Sequence, residues 1–569
     1  MRSFGSRSYA ARACWRLRCM CMVRDGFRNE STYSGFMAAG KEEEFDRRFE
    51  QAAEEAVLSF GAPHHMYIAG RAVASSETLV ERSPIDTRII IGTFQKASRE
   101  HAKQAIAAAK AASAAWRGAG YKERAAILAK AAELFSQRKF TLAATLSYEN
   151  GKTRHEAMGE VDEAIDFLRY YAKEIVRNRG YCRRAAFGES GGARHLGFQG
   201  APGDAERVEA LMAPYGVFGV IAPFNFPISI AVGMCAGALV TGNTVVFKPS
   251  STENMTMLSG LRIYELFREA GVPAGAFNYI TGSGAEVGDE LAVNRDVNGI
   301  VFTGSRETGI RIMRRSLDAG TQKCFILEMG GKNPVIVSKH ADLECAANGI
   351  ISSAFGFSGQ KCSACSRIYV HDSVKEQLVS MLIDKARSLQ IGNPLEKRTY
   401  MGPLIGEEAY RRYAAGVEKV RETGRLLYGG RRLNLSGGYY VEPVIAELGH
   451  ENALMRDELF VPILGICPYT DFADALRRAN ETQYGLCAGL YSKSSGEIRE
   501  FKAGIEAGVV YINRSIGATT GAIVGRHPFV GWKGSGSGGK GTGSTFYLQQ
   551  FMREQSVSVS KRQAGKGTG

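Results

Sequence analysis

The residues best equipped for chemistry are a cysteine and a glutamate, each in a glycine-bearing loop. Cys362 falls in Gly359-Gln360-Lys361-Cys362-Ser363, and Glu328 opens Glu328-Met329-Gly330-Gly331-Lys332, 34 positions earlier. A cysteine that forms a covalent intermediate needs a separate base to activate the water that releases the product. Upstream, Pro223-Phe224-Asn225-Phe226-Pro227 holds an amide side chain between two prolines, a group suited to stabilising an oxyanion. Nucleophile, base and oxyanion donor are therefore assigned to Cys362, Glu328 and Asn225.

These groups need a scaffold that brings distant segments together, and the hydrophobic pattern supplies one. From residue 217 the chain alternates strand, loop and helix. An apolar run over 217–222 ends at Pro223, residues 228–239 read as helix, and Thr244–Lys248 reads as the next strand. A helix over 255–270 and strands at 277–280 and 299–302 follow. Such alternation implies a doubly wound parallel sheet that binds ligands at the carboxyl ends of its strands. Before it, residues 45–60, 101–116, 123–138 and 161–176 have helical periodicity, and 66–73 reads as a short strand turning at Gly70. Residues 183–206 are glycine-rich, polar and too irregular for a core element.

Cofactor residues are expected at those strand ends. Lys248 closes its strand, where it either reaches an adenosine ribose or caps the strand. Gly282-Ser283-Gly284 and Phe302-Thr303-Gly304-Ser305 each lead into a helix, with Thr308-Gly309 behind the second. Helix N-termini offer free N–H groups to a pyrophosphate. The spacing from Gly282 through Gly284 to Gly288 is one residue longer than the usual dinucleotide fingerprint G-x-G-x-x-G.

Composition bounds the class. The chain has 569 residues, 44% hydrophobic and 23% charged, enough for a large core and at least two domains. No apolar run approaches the length of a membrane span. The net charge of +14 is partly terminal, since residues 1–40 carry seven arginines against Asp25 and Glu30. The remaining charges are interspersed, with no nucleic-acid module, so a basic enzyme surface is the reading. Eleven cysteines lack framework spacing, which suits a reducing compartment. Cys362 and Cys365 form a C-x-x-C pair without a second ligand pair, so no metal is expected. Residues 1–40 suit either a mitochondrial transit peptide or an upstream extension with the natural start at Met37. Both place them outside the fold, and localisation is cytoplasmic, or the mitochondrial matrix in the first case.

The segments around Cys362, Glu328 and Asn225 resemble the aldehyde dehydrogenase superfamily, over residues 45–555. The resemblance implies an aldehyde dehydrogenase-like α/β fold. A parallel-sheet dinucleotide-binding domain (41–182 and 214–330) would join an α/β catalytic domain (331–531) and a small β oligomerisation flap (183–213 and 540–558). This family binds its nicotinamide cofactor without the usual fingerprint. The implied cofactor set is Ile221, Pro223, Phe224, Lys248, Ser251, Gly284, Phe302, Ser305, Thr308, Glu458 and Phe460. Ser251 stands where many relatives carry a glutamate that holds both ribose hydroxyls. NAD is therefore expected, with NADP only modestly disfavoured.

Within the superfamily, residues 354–367 and 520–525 resemble L-glutamate γ-semialdehyde dehydrogenases, also called 1-pyrroline-5-carboxylate dehydrogenases. That implies oxidation of the semialdehyde to glutamate in proline breakdown through a cysteine thioester, in a homo-oligomer. Ser363, Gly521 and Ala522 would grip the substrate carboxylate. Three departures surround the substrate mouth: a longer loop over 513–521, Val530 at a family glycine position in His527-Pro528-Phe529-Val530-Gly531, and Lys540-Gly541-Thr542-Gly543-Ser544 without the family proline. Another aldehyde is the alternative substrate. An inactive scaffold is the alternative of another class.

Overall fold

The computed structural model describes residues 27–185, 206–251, 255–515 and 522–560. Gly521, one of the expected carboxylate ligands, lies outside them, as does Thr520. The strands of the first half that build the three sheets described below are β1 (Met66–Ile68), β2 (Arg71–Val73), β3 (Cys182–Ala185), β4 (Glu206–Pro214), β5 (Val217–Ile221), β6 (Thr244–Lys248), β7 (Phe277–Tyr279), β8 (Val297–Gly304) and β9 (Cys324–Met329). Those of the second are β10 (Asn333–Val337), β11 (Cys365–His371), β12 (Arg425–Tyr428), β13 (Val444–Glu447), β14 (Ile463–Tyr469), β15 (Cys487–Tyr491), β16 (Val509–Ile512) and β17 (Met552–Ser560).

Two seven-stranded sheets dominate. The first has the order β9-β8-β5-β6-β7-β1-β2, the second β12-β13-β14-β11-β10-β15-β16. Strands β9 through β7 are parallel neighbours, and β1 and β2 close that edge antiparallel. In the second sheet β13 through β16 run parallel and β12 is antiparallel. The physical reason is visible in β5, β6 and β10, where every residue is buried. Strands covered on both faces need helical crossovers, and such crossovers give parallel sheets. Separate apolar cores accordingly lie on each face of each sheet. A third sheet, β17-β4-β3, is antiparallel, with nine residue pairs between β4 and β17. Among the described residues no helix is long and apolar enough to cross a membrane.

Two sequence boundaries differ from the structure. The fold begins before residue 40. Helix α1 (Thr32–Ala38) and the residues preceding it lie on α2 (Arg154–Arg177), where Thr32 donates through N and Oγ1 to Asp162 at 2.6 and 2.7 Å. The attachment combines these hydrogen bonds with scattered rings, Phe27 on Tyr170 and Tyr33 on His155, a mixture that leaves no regular hydrophobic periodicity. A start at Met37 would remove it. The other difference lies at 540–551, which were assigned to the flap. Tyr547, Leu548 and Phe551 are instead fully buried in the core of the first sheet, and only β17 joins β4.

Arg367 in β11 ties the second sheet to the loop after β9. Fully buried, it donates from Nε to the Lys332 carbonyl at 2.9 Å and from Nη2 to the Ala479 carbonyl at 2.7 Å. Nη1 reaches the Tyr369 hydroxyl at 3.2 Å. Arg367→Ala strands these acceptors in the core and is expected to cost about 3 kcal/mol or more. The check is an earlier urea transition and a lower Tm. An unchanged midpoint would mean that water takes over the guanidinium's bonds.

Candidate functional site

The cysteine loop is built by strain. Phe357 and Ser358 have positive φ (50° and 53°), followed by Gly359 at 68°. Two non-glycine residues in that region are costly and persist only when surroundings enforce them. Here the Ser358 hydroxyl donates to the Gly402 carbonyl at 2.7 Å. A side chain on Gly359 would meet the Val461 carbonyl at 2.9 Å. The turn delivers Cys362, half-buried, at the entrance to β11.

Glu328 reaches the same space from the end of β9. The link between them is Asn333, the first residue of β10. Its Nδ2 donates to the carbonyls of Cys362 (2.7 Å) and Ala364 (2.9 Å), and its Oδ1 accepts from Cys487 N at 2.9 Å. Gly331 passes so close that a Cβ there would lie 2.3 Å from the Cys362 carbonyl oxygen.

Asn225 arrives from the turn after β5. It is buried, and its Nδ2 donates to the Gln360 carbonyl at 3.2 Å, which leaves a second amide hydrogen for an oxyanion. That turn is pinned from beneath. Lys152, fully buried, pairs with Glu160 and lies 3.4 Å from the Phe226 ring centroid. Glu160 in turn accepts from the backbone N–H groups of Ile228 (2.8 Å) and Ser229 (3.1 Å), at the start of α3 (Ser229–Val240).

Cys362, Glu328, Ser363 and Ala522 line one cavity of about 660 Å³, open mouth included. Its remaining wall is largely apolar, with Phe167, Phe226 and Phe529 among its rings. Dryness sets the charges. Burial raises Glu328 to about 8, against a lowering by the Gly531 N–H, and its Oε2 has no hydrogen-bond partner among the described residues. The Cys362 thiol is pushed far above its ordinary range, first by burial and then by the carboxylates of Glu458 and Glu328. The N–H groups of Cys362 and Ser363 oppose that rise. The arrangement can form a covalent adduct on sulfur, hold an oxyanion at Asn225, and pass a proton to Glu328.

A further acid shares the cavity. Glu163 on α2 lines it together with Phe167, and burial raises its carboxyl to about 7, first opposed by the Ser229 hydroxyl. It was not among the sequence candidates. The available signal was the acidic pattern Glu160, Asp162, Glu163 and Asp166 on a helix whose other positions are mainly apolar.

The expected cofactor residues fall into groups. Phe224 and Phe460 meet edge-to-face with centroids 5.8 Å apart, and Phe460 is held at φ 58°. Glu458 accepts from Gly331 N at 2.7 Å, and burial lifts it to about 7. Lys248 and Ser251 are buried and share the Pro249 carbonyl, at 3.3 and 2.8 Å. Lys248 drops to about 8 through burial. The helix turn Gly284–Gly288 begins at Ser283, whose hydroxyl accepts from Glu286 N at 3.1 Å. Ser305 caps α4 (Arg306–Asp318), its Oγ accepting from Thr308 N at 3.3 Å and contacting Thr308 Oγ1 at 2.9 Å. Ile221 and Pro223 connect β5 to the Asn225 turn. Phe302 differs from the rest, because it also lines the cavity beside Cys362. The residues fit a dinucleotide: a buried lysine whose ammonium meets a backbone carbonyl and two helix starts at strand ends are features such a ligand uses.

Residues 72–557 match the Aldehyde dehydrogenase family. The 1-pyrroline-5-carboxylate dehydrogenase 1 of Halalkalibacterium halodurans is 37% identical over 518 residues, or 90% of this chain and 96% of that protein. The 1-pyrroline-5-carboxylate dehydrogenase 2 of Bacillus subtilis is 38% identical, over 90% of this chain and 95% of its own. A crystal structure of 1-pyrroline-5-carboxylate dehydrogenase from Thermus with bound NAD matches with a TM-score of 0.85 at 34% identity, covering 94% of this chain and 99% of that one.

A thiol with a raised pKa gains thiolate as pH rises, so its reactivity must climb with pH. Iodoacetamide labelling of Cys362 in the free protein is expected to accelerate about tenfold per unit from pH 7 to 9. Cys365, buried at 2% exposure, stays unlabelled. A plateau below pH 8, read by peptide mass spectrometry, would mean that the thiol is already activated at rest.

Proposed function

Since the chain belongs to the aldehyde dehydrogenase family, we propose that it oxidises L-glutamate γ-semialdehyde, the open form of 1-pyrroline-5-carboxylate, to glutamate with NAD. The observation that carries this reading is a single cavity joining Cys362 and Glu328 to Ser363, Ala522 and Glu163. An amino acid with an aldehyde on its side chain has a carboxylate and an ammonium at one end and the reacting carbon at the other. Ser363 and the backbone near Ala522 suit the carboxylate. Glu163 suits the ammonium, whose charge would draw it back to the ionised form. A plain aliphatic aldehyde would have no use for a buried acid.

In this mechanism Cys362 gives its proton to solvent and attacks the aldehyde carbon as the thiolate. The new oxyanion is held by Asn225 Nδ2 and the Cys362 N–H, a class of contact worth about 3–4 kcal/mol per donor. NAD, when bound, supplies the acceptor for the hydride that leaves the hemithioacetal. Glu328, its own proton lost to solvent, takes a proton from water as that water attacks the thioester. Glutamate and free thiol result. Lys248, Ser251, the helix starts at Gly284 and Ser305, and the pair Phe224 and Phe460 would hold the dinucleotide. Glu458 would shift from Gly331 N to the nicotinamide ribose. The chain would act as a homo-oligomer, with the outer strands of the β17-β4-β3 sheet meeting another copy.

Steady-state rates with the semialdehyde and with propanal, using NAD and NADP, test the reading. The semialdehyde and NAD should be preferred. Ser363→Ala should then lower kcat/KM for the semialdehyde roughly 10- to 150-fold, the loss of one charged hydrogen bond of about 1.5–3 kcal/mol. Propanal should change by a small factor. Equal losses would place the effect on the neighbouring nucleophile and count against the carboxylate site.

A further inference from the structure

We propose that residues 27–32 are a positioning strap for the substrate end of the cavity, acting through Asn29. Asn29 Nδ2 makes two hydrogen bonds to two different parts of the site. It donates to Asp166 Oδ2 at 2.8 Å and to the Val524 carbonyl at 3.0 Å. Asp166 lies on α2, one turn after Glu163 and next to Phe167, both of which line the cavity. Val524 lies two residues after Ala522, which lines it from the other side. One amide therefore fixes the distance between the turn that would receive the carboxylate and the helix that would receive the ammonium.

The strap has its own anchorage. Glu30 N donates to Asp166 Oδ1 at 2.8 Å, and Thr32 is bound twice to Asp162. Lys139 reaches Thr32 Oγ1 at 2.7 Å and Glu30 at 3.3 Å, and Arg169 pairs with Glu30 from the other side. Phe27 packs edge-on against Tyr170 at 5.2 Å. Those two rings also wall in Gly525, where a Cβ would stand 2.9 Å from Tyr170 and 3.2 Å from Phe27. Gly525 has φ 76°, and its N–H donates to the Gly543 carbonyl at 2.8 Å. The turn 522–525 is thus caught between the strap, α2 and the segment around Gly543. Asn29 is the polar link on the strap side. Catalysis is sensitive to displacements of about 1 Å in such positioning contacts, and a buried carbonyl without its donor moves toward water.

Because the carboxylate role of Ala522 belongs to the proposed function, the test has one arm that depends on that reading and one that does not. In the independent arm, hydrogen exchange is followed in the full-length protein and in Asn29→Ala. The amides of 522–527 are expected to exchange at least about tenfold faster in the variant, while β11 is unchanged. Unchanged exchange at 522–527 would overturn the strap. In the second arm, KM for the semialdehyde should rise about tenfold while kcat for propanal stays within about twofold. Asn29→Gln, which keeps a donor on a longer arm, should restore part of the loss. Faster exchange with equal losses on both aldehydes would reduce the segment to a structural brace and overturn its positioning role. A parent protein without preference for the semialdehyde would refute the substrate reading, and the exchange arm would still decide the strap.

Discussion

Everything at this site depends on how closely the chain can pass between its two sheets. Glu328 ends a strand of the first sheet and Asn333 begins a strand of the second, with only Met329-Gly330-Gly331-Lys332 between them. In that short crossing Gly331 skims the Cys362 carbonyl, where no side chain would fit. Asn333 then satisfies three backbone groups at once, from Cys362, Ala364 and Cys487. Arg367 holds the Lys332 carbonyl from below. The base and the thiol belong to different sheets, yet their separation is set by one amide and one glycine. Glu328 lies at the carboxyl end of its strand, and the crossing aims that end at the starts of β10 and β11, ahead of which Cys362 lies.

The second constraint is the scarcity of water. Glu328, Glu163 and Glu458 all have carboxyls raised to between about 7 and 8, in each case chiefly by burial. The resting site therefore avoids stacking several negative charges around a thiolate. Charge forms when something arrives to use it: a cation near Glu163, or the water that Glu328 activates once its own proton has gone to solvent. A dry site of this kind trades resting reactivity for strong interactions once substrate is in place.

Much of this was legible from residue order, and the exceptions have a common cause. Cys362, Glu328 and Asn225 each stand in a short segment whose neighbours suggest the role proposed for it, and the cavity brings the first two together with Ser363 and Ala522, without Asn225 in its wall. The parallel sheets followed from strands such as Val217–Ile221 that are apolar throughout. Glu163 escaped because its function is set by what α2 faces, and a helix sequence reports only which positions share a side. The attachment of Asn29, Glu30 and Thr32 escaped because its partners are over 100 residues away and polar, so no periodicity marks it. Residues 540–551 were misassigned for the converse reason: Tyr547, Leu548 and Phe551 lie close in sequence to a glycine-rich stretch that reads as a loop, yet they fill the core beneath α3.

The central claim is that Cys362 carries the substrate and Glu328 releases it. Glu328→Gln, mixed with semialdehyde and NAD and quenched in acid, tests both halves at once by mass spectrometry of the peptide bearing Cys362. The account predicts one acyl group on Cys362 and an equal burst of NADH, followed by little further turnover. An unmodified Cys362, an acyl group on another cysteine, or unabated turnover would contradict it.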